Sequence, residues 1–272
     1  MRSPTLLVLG HVTRDVFGAE TRLGGAAAFA AQAAASFGID AAVVTAAPPS
    51  APELDALRGL DGVQLRVIPS DVITSFEHVY VGSRRVLTLL ARARPIESED
   101  IPLEWRGAAL IYAGPVAGEL QPGTLAGLSG FGICGIQGWL RSRQLGPVSP
   151  RRLDGPCQVP GCVRAVSFSS ADHPAARVIT SALTARGVVV AVTRGARGAR
   201  VSWGGKQSYI APAPACPVDS TGAGDVFTLV FGLCLRRGLG PEAAAERAAL
   251  AAARVVEGPG LGTLGQVSGG FF

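Results

Sequence analysis

Pro217-Val218-Asp219-Ser220-Thr221-Gly222-Ala223-Gly224-Asp225-Val226-Phe227 runs straight into an apolar, helix-forming stretch from Leu229 to Leu235. Two glycines flank an alanine, and a carboxylate closes the loop where the helix is expected to begin. The opening N–H groups of a helix have no intrahelical partner, and the helix dipole adds partial positive charge there. Glycine lets the backbone close on an anion without a Cβ in the way. Asp225 falls in the first turn, aimed at the same spot. A carboxylate there can take a proton from an attacking hydroxyl while the N–H groups stabilise charge on a transferred phosphoryl group. A bare GxGD also occurs in ordinary capped helices. The longer string Asp-Ser-Thr-Gly-Ala-Gly-Asp-x-Phe is far more specific and points to phosphoryl transfer.

Upstream, short apolar runs alternate with alanine-rich helical stretches. Strands are expected at Leu6–Gly10, Ala41–Thr45, Gln64–Ile68, Ala109–Ala113, Gly132–Ile136, Ala165–Phe168, Val188–Thr193 and Arg200–Trp203. Helices are expected at Ala26–Phe37, Pro52–Leu60, Pro174–Arg186, Gly224–Arg237 and Pro241–Glu257. Strands alternating with helices argue for a largely parallel sheet covered on both faces. Two stretches break the rhythm: His11–Leu23 and Val72–Arg94 read as strands with no helix between them. In the second, Gly82-Ser83-Arg84-Arg85 is a turn joining two antiparallel strands, with one face left for a ligand. Ser142–Val163 is rich in Pro, Gly and Arg and reads as an irregular connection without a functional reading.

Composition narrows the class. Hydrophobic residues make up 48% of the 272, so a sizeable core is available. No apolar stretch approaches the ~20 residues of a membrane span. The strand-like Thr5–Leu9 run near the start is too short for a signal peptide, so a cytoplasmic protein is expected. Net charge is +5 with a pI near 9.3, but the arginines are scattered and Lys206 is the only lysine. No aromatic-interleaved basic stripe suggests nucleic acid. The five cysteines (Cys134, Cys157, Cys162, Cys216, Cys234) are irregularly spaced, and with three histidines they do not suggest zinc. They read as reduced thiols; a Cys157–Cys162 disulfide would be unusual in the cytosol.

The Asp219–Phe227 string resembles the C-terminal signature of the PfkB/ribokinase family of carbohydrate kinases. The resemblance implies an α/β, ribokinase-like fold: a doubly wound, mostly parallel sheet with helices on both faces and a small β lid. It implies a single domain over residues 1–272, with the lid formed by about 11–23 and 72–94. By the same resemblance Asp225 is the catalytic base, and Gly222, Ala223 and Gly224 form the anion hole. A monovalent cation such as K⁺ would lie near Asp219 and Thr221.

Further motifs extend the likeness. Leu23-Gly24-Gly25-Ala26 opens an alanine-rich helix and resembles the family's glycine pair, where Gly24 and Gly25 N–H groups would contact acceptor hydroxyls. Asp15, after the first strand, fits the family's hydroxyl-binding aspartate; a carboxylate can accept two hydroxyl hydrogen bonds at once. Many members carry an asparagine where this chain has Phe29. A phenyl ring cannot replace an amide's hydrogen bonds, so ribose or fructose specificity does not carry over. Gln137-Gly138-Trp139-Leu140-Arg141 and Ser75-Phe76-Glu77 resemble the branch that contains inositol kinases. Phe76, Glu77, Gln137 and Arg141 then join Phe29 as acceptor-pocket residues, although Arg141 also reads as a surface arginine and Gln137 as a strand cap.

On the donor side, Thr193, Gly195 and Gly198 lie in a glycine turn that the family sets against the nucleotide. Ser169 and Asp172 stand where the family has Asn-x-x-Glu for magnesium and phosphate, and Asp172 would act through Mg²⁺-bound water. Asp172 is equally readable as a helix N-cap. The expectation is an ATP- and Mg²⁺-dependent kinase of a small sugar or polyol, inositol-like for preference. A phosphorylated acceptor is disfavoured, because Arg14, Arg22 and Arg141 are its only obvious phosphate partners. The alternatives are a nucleoside kinase of the same fold, stacking a base on Phe76 or Tyr80, or a catalytically silent sugar-binding module. Neither nucleic acid nor membrane is expected as a partner; an exposed lid edge would suit a homodimer. No Walker loop or protein-kinase signature is present.

Overall fold

Leu6-Leu7-Val8-Leu9 is buried along its whole length, and so are all seven residues of Ala41–Ala47. Runs that are apolar on both faces are satisfied only in a sheet covered from both sides. The computed structural model, which describes residues 3–82, 84–151 and 159–258, places them there. In chain order the elements are β1 (Leu6–Leu9), β2 (Thr13–Phe17), β3 (Glu20–Gly24), α1 (Ala26–Ser36), β4 (Ala41–Ala47), α2 (Asp55–Arg58), β5 (Val63–Pro69), β6 (Thr74–Val81), β7 (Arg84–Ala91) and β8 (Leu110–Ala113). Then follow β9 (Phe131–Gly135), α3 (Gln137–Leu140), β10 (Gly146–Pro147), β11 (Val163–Ser169), α4 (Ala176–Thr184), β12 (Val189–Thr193), β13 (Ala199–Trp203), β14 (Lys206–Ile210), α5 (Ala223–Arg236) and α6 (Pro241–Val256).

Among the described residues nine strands form the main sheet in the order β14-β13-β12-β11-β9-β8-β1-β4-β5. From β12 to β5 every pairing is parallel; β13 and β14 add an antiparallel edge. The pleat divides β1 between two cores: Leu6 and Val8 face one, Leu7 and Leu9 the other. The first core lies under α1, α2, α5 and α6. The second lies under α4, Trp139 and Leu140 of α3, and short 3₁₀ turns that supply Trp105 and Leu125. The fold is therefore doubly wound, as expected. The chain winds from β1 to β4 and β5 on one side, then from β8 to β9, β11 and β12 on the other. The neighbours β1 and β8 thus mark the switch point, where such sheets open a crevice at their carboxyl ends.

A second sheet, β10-β7-β6-β2-β3, caps that crevice. Its strands come from the two stretches that lacked helices, plus Gly146–Pro147 from the segment read as irregular, which pairs with β7. Three further elements depart from the sequence reading. Pro52–Leu60 is a 3₁₀ turn followed by the four-residue α2, Gln137 opens α3 instead of capping a strand, and β14 had no expected counterpart. Cys157 lies outside the described residues; the Cys162 Sγ sits 3.8 Å from the Leu125 carbonyl oxygen. Among the described residues no helix is long and apolar enough to cross a membrane.

The root of the lid is stitched to the main sheet by buried polar groups. Glu119 accepts the N–H groups of His11 (2.9 Å), Val116 (3.0 Å) and Ala117 (2.8 Å). The His11 ring lies between the Thr74 hydroxyl (2.7 Å) and the Arg94 carbonyl (2.9 Å), and Thr74 Oγ1 accepts the Ala93 N–H. Burial depresses the His11 pKa, so the ring stays neutral and serves as a spacer with one donor and one acceptor.

Candidate functional site

Gly222 is the N-cap of α5, with φ 80°, and no side chain among the described residues caps the helix. That left-handed turn suits glycine. A Cβ on Gly222 would also stand 2.5 Å from the Phe29 ring, so the loop rests directly on that phenyl group. Phe29 is 5% exposed. At the α5 N-terminus two of the opening N–H groups have backbone partners within the loop. Ala223 N–H reaches the Ser220 carbonyl at a long 3.4 Å, and Asp225 N–H reaches Gly222 at 3.1 Å. Behind it, Val226 to Cys234 are buried without interruption and anchor the helix. Each large apolar side chain so buried contributes about 1.5–3 kcal/mol.

Asp225 is partly buried in the first turn. Its Oδ1 accepts a hydrogen bond from the Tyr112 hydroxyl at 3.0 Å. Burial pushes its pKa up to about 6; the Tyr112 hydrogen bond and the Arg141 charge pull it down, and the charges of Asp172 and Asp15 push it up. Arg141, just past α3, lies 3.4 Å from Asp172 Oδ1, with both side chains mostly buried. Burial lowers the guanidinium's pKa, against the pull of Asp172 and Asp225; arginine keeps its charge regardless. The other Asp172 oxygen accepts the Ser169 N–H at 2.8 Å, closing a tight turn at the end of β11. Thr193 pairs with Ser169 on the adjoining β12, so the two donor-side positions share one edge. Gly195–Arg197 follows as a single 3₁₀ turn, and Gly198 passes so close to Ile210 that a Cβ there would stand 2.1 Å from its carbonyl oxygen.

The lid contributes from its inner face. Register puts Asp15 opposite Phe76 and Arg22, on the face that also carries His78 and Tyr80. Glu77 alternates to the outer face with Val79. Phe76 is sealed into the core, whereas Tyr80 is 60% exposed. Asp15 Oδ1 accepts from the Thr13 hydroxyl at 2.8 Å, and Oδ2 lies 3.3 Å from His78 Nε2. A Cβ on Gly24 would stand 2.3 Å from Asp15 Oδ2, so the glycine pair makes room for this carboxylate. Phe17, Arg22 and Tyr80 face Val218, Asp219 and Thr221 across a cleft of about 420 Å³. Asp219 Oδ1 accepts the Thr221 N–H at 2.9 Å, and Val218 and Asp219 N–H groups reach the Val256 carbonyl.

Asp225, Arg141, Asp172 and Asp15 therefore gather in one crevice, and the three arginines named as candidate partners for a phosphorylated acceptor are already paired. Arg14 is bound by Glu53 and Arg22 by Glu20, while Arg141 lies beside Asp172. Sequence reasoning missed Tyr112 and His78. Tyr112 reads as one more large residue in a buried strand, and His78 as one residue of an alternating hairpin.

Residues 164–266 match the family described as pfkB family carbohydrate kinase. Over this stretch the chain is similar to the PfkB family. An inositol 3-kinase from Zea mays is 40% identical over 74 residues, covering 27% of this chain and 20% of the relative. A ribokinase from Bacillus subtilis (strain 168) is 41% identical over 66 residues, covering 24% and 22%. The chain thus spans about a fifth of the length of the curated relatives it matches. Among solved structures, a pyrophosphate-dependent myo-inositol-1 kinase converted into a myo-inositol-3 kinase superposes with a TM-score of 0.79 at 19% identity, covering 98% of this chain and 100% of that one. A ribokinase from Arabidopsis thaliana complexed with ribose and ATP gives 0.68 at 20% identity, covering 95% and 94%. The fold is ribokinase-like throughout. The PfkB match takes in Ser169, Asp172, Thr193 and the Asp225 loop; Asp15, the glycine pair, Phe76 and Arg141 lie outside it.

Proposed function

We propose that this protein transfers a phosphoryl group to a hydroxyl of a small polyol, inositol-like for preference, with ATP as donor. The observation that carries the reading is the Asp225 carboxylate in the first turn of α5, held by the Tyr112 hydroxyl at 3.0 Å and with its pKa pushed up to about 6 by burial, at a helix N-terminus that no side chain among the described residues caps. A base poised near neutrality can accept a hydroxyl proton and still be ionised at pH 7. In this reading Asp15 and the Gly24 and Gly25 backbone orient the acceptor from the lid side. Asp225 accepts the proton of the attacking hydroxyl. The Gly222–Gly224 amides and Arg141 stabilise charge on the moving group, and the lid excludes water. Magnesium, when bound, neutralises the donor phosphates. Among the described residues no cluster of three or more His, Cys, Asp or Glu could hold a metal, which suits an ion carried by phosphates and water, with Asp172 meeting its water shell. A K⁺ ion beside Asp219 and Thr221 would add further positive charge at the loop.

Pyrophosphate is the second donor reading. Solved structures with TM-scores of 0.77 to 0.79 are described as pyrophosphate-dependent kinases, one of them complexed with a pyrophosphate analogue and myo-inositol. A nucleoside acceptor is less well served, because Phe76 is sealed into the core and leaves Tyr80 as the available stacking ring.

The test is a panel of inositols, pentoses, hexoses and nucleosides, each supplied with ATP–Mg²⁺ or pyrophosphate–Mg²⁺, with product phosphate esters followed by ³¹P NMR. An inositol phosphorylated from ATP supports the reading. Transfer from pyrophosphate alone replaces the donor. No transfer to any acceptor, despite donor binding, would leave a silent binding module.

A further inference from the structure

Tyr112 is wholly buried in β8, next to the switch point. A buried tyrosine hydroxyl needs a hydrogen-bond partner, and phenylalanine would fill the same space without that demand. The partner here is Asp225 Oδ1, 113 residues away in sequence. The fold makes room for the ring, since a Cβ on Gly114 would stand 2.7 Å from Tyr112 Cε1 and 3.3 Å from its hydroxyl. The nearby Thr228 hydroxyl does not compete, because it donates to the Gly224 carbonyl at 2.7 Å.

We propose that Tyr112 is a positioning residue for the base: its O–H holds Asp225 Oδ1 and leaves Oδ2 as the oxygen that receives the acceptor's proton. The inference rests on the kinase reading above. In the step itself, the acceptor O–H bond breaks as its proton passes to Oδ2. The acceptor oxygen bonds to phosphorus, and the donor's bridging oxygen departs with the electron pair of the broken P–O bond. An aspartate free to rotate about χ2 would offer either oxygen, in many orientations. Fixing one oxygen by a rigid, core-anchored phenol removes that freedom before the substrate arrives.

The charged groups that face Asp225 are Arg141 past α3, Asp172 past β11 and Asp15 on β2; Tyr112 on β8 is its hydrogen-bond donor. The hydrogen bond favours the ionised carboxylate, so its loss raises the pKa and shifts the acid limb of the pH–rate profile upward. Burial and the Asp225 charge in turn push the Tyr112 pKa well up, so the phenol remains a donor across the working range.

The test is Tyr112→Phe, which keeps the ring and the core. The Asp225 carboxyl is titrated by ¹³C NMR in both proteins, and pH profiles of kcat/KM are recorded alongside. We expect the Asp225 midpoint and the acid limb to rise together by about one pH unit. We expect kcat to fall about 10-fold or more with the donor KM unchanged. In an Asp225→Asn background the same tyrosine change should cost nothing further. An Asp225 midpoint that does not move overturns the proposal, as does a full additional loss in the Asp225→Asn background. A midpoint that moves on Tyr112→Phe, where the wild-type protein shows no transferase activity, instead removes the kinase reading and leaves the Tyr112–Asp225 coupling standing.

Discussion

Burial makes Asp225 harder to ionise than an aspartate in water. Its folded pKa is about 6, against roughly 4 for an unfolded aspartate. The native state therefore binds this proton more tightly than the unfolded state does. Stability contributed by the protonated form is present below about pH 4, falls between about pH 4 and 6, and is gone above that range. The difference amounts to at most ~3 kcal/mol at neutral pH, since the carboxyl keeps some contact with solvent. Asp225→Asn should accordingly melt several degrees higher than wild type at pH 8 and no higher at pH 4, while turnover falls by a factor equivalent to ~3 kcal/mol or more. Differential scanning calorimetry at the two pH values, beside a turnover assay, checks both. A variant with unchanged melting at pH 8 would mean that the charge is not held against its preference. Asp225 was legible because its loop is a dense local pattern. Tyr112 was not, because a hydroxyl that matters through a partner 113 positions away leaves no local trace.

Between elements, the decisive contact joins α1 to α5 through Phe29 and Gly222. The sequence marks Phe29 as a departure from an asparagine that contacts sugar. The structure gives the ring a packing role, as the floor on which the Gly222 turn sits. Phe29→Asn should therefore leave an unpaired amide under the loop and destabilise the protein by ~3 kcal/mol. It should not open a ribose activity. Urea denaturation and the acceptor panel measure the two effects, and a stable variant that phosphorylates ribose would contradict this role. Long buried strands such as β1 and β4 were readable because burial on both faces demands continuous apolar runs. The four-residue α3 and the two-residue β10 were not, because elements that short have no period, and Gly146–Pro147 becomes a strand only when β7 offers an edge.

Across the whole molecule, the crevice exists because the chain leaves the paired strands β1 and β8 in opposite directions at the switch point while the lid closes over their ends. Buried polar groups hold that junction, and Glu119 is its centre. Three backbone N–H groups, from His11 on the β1 side and from Val116 and Ala117 on the β8 side, converge on one carboxylate. Each is a hydrogen bond to a charged acceptor, worth ~1.5–3 kcal/mol. Glu119→Gln keeps the shape but turns an N–H donor toward N–H groups that have no other acceptor among the described residues. Global stability should fall by ~3 kcal/mol, read as a lower urea midpoint at unchanged m-value. Because His11 also carries Thr74 at the root of β6, the loss should spread into the lid, with amides of β2 and β6 exchanging faster with solvent than those of β4 or β11. Uniform acceleration across all four strands would show that Glu119 supports the molecule as a whole, and that the lid has no private anchor at this point.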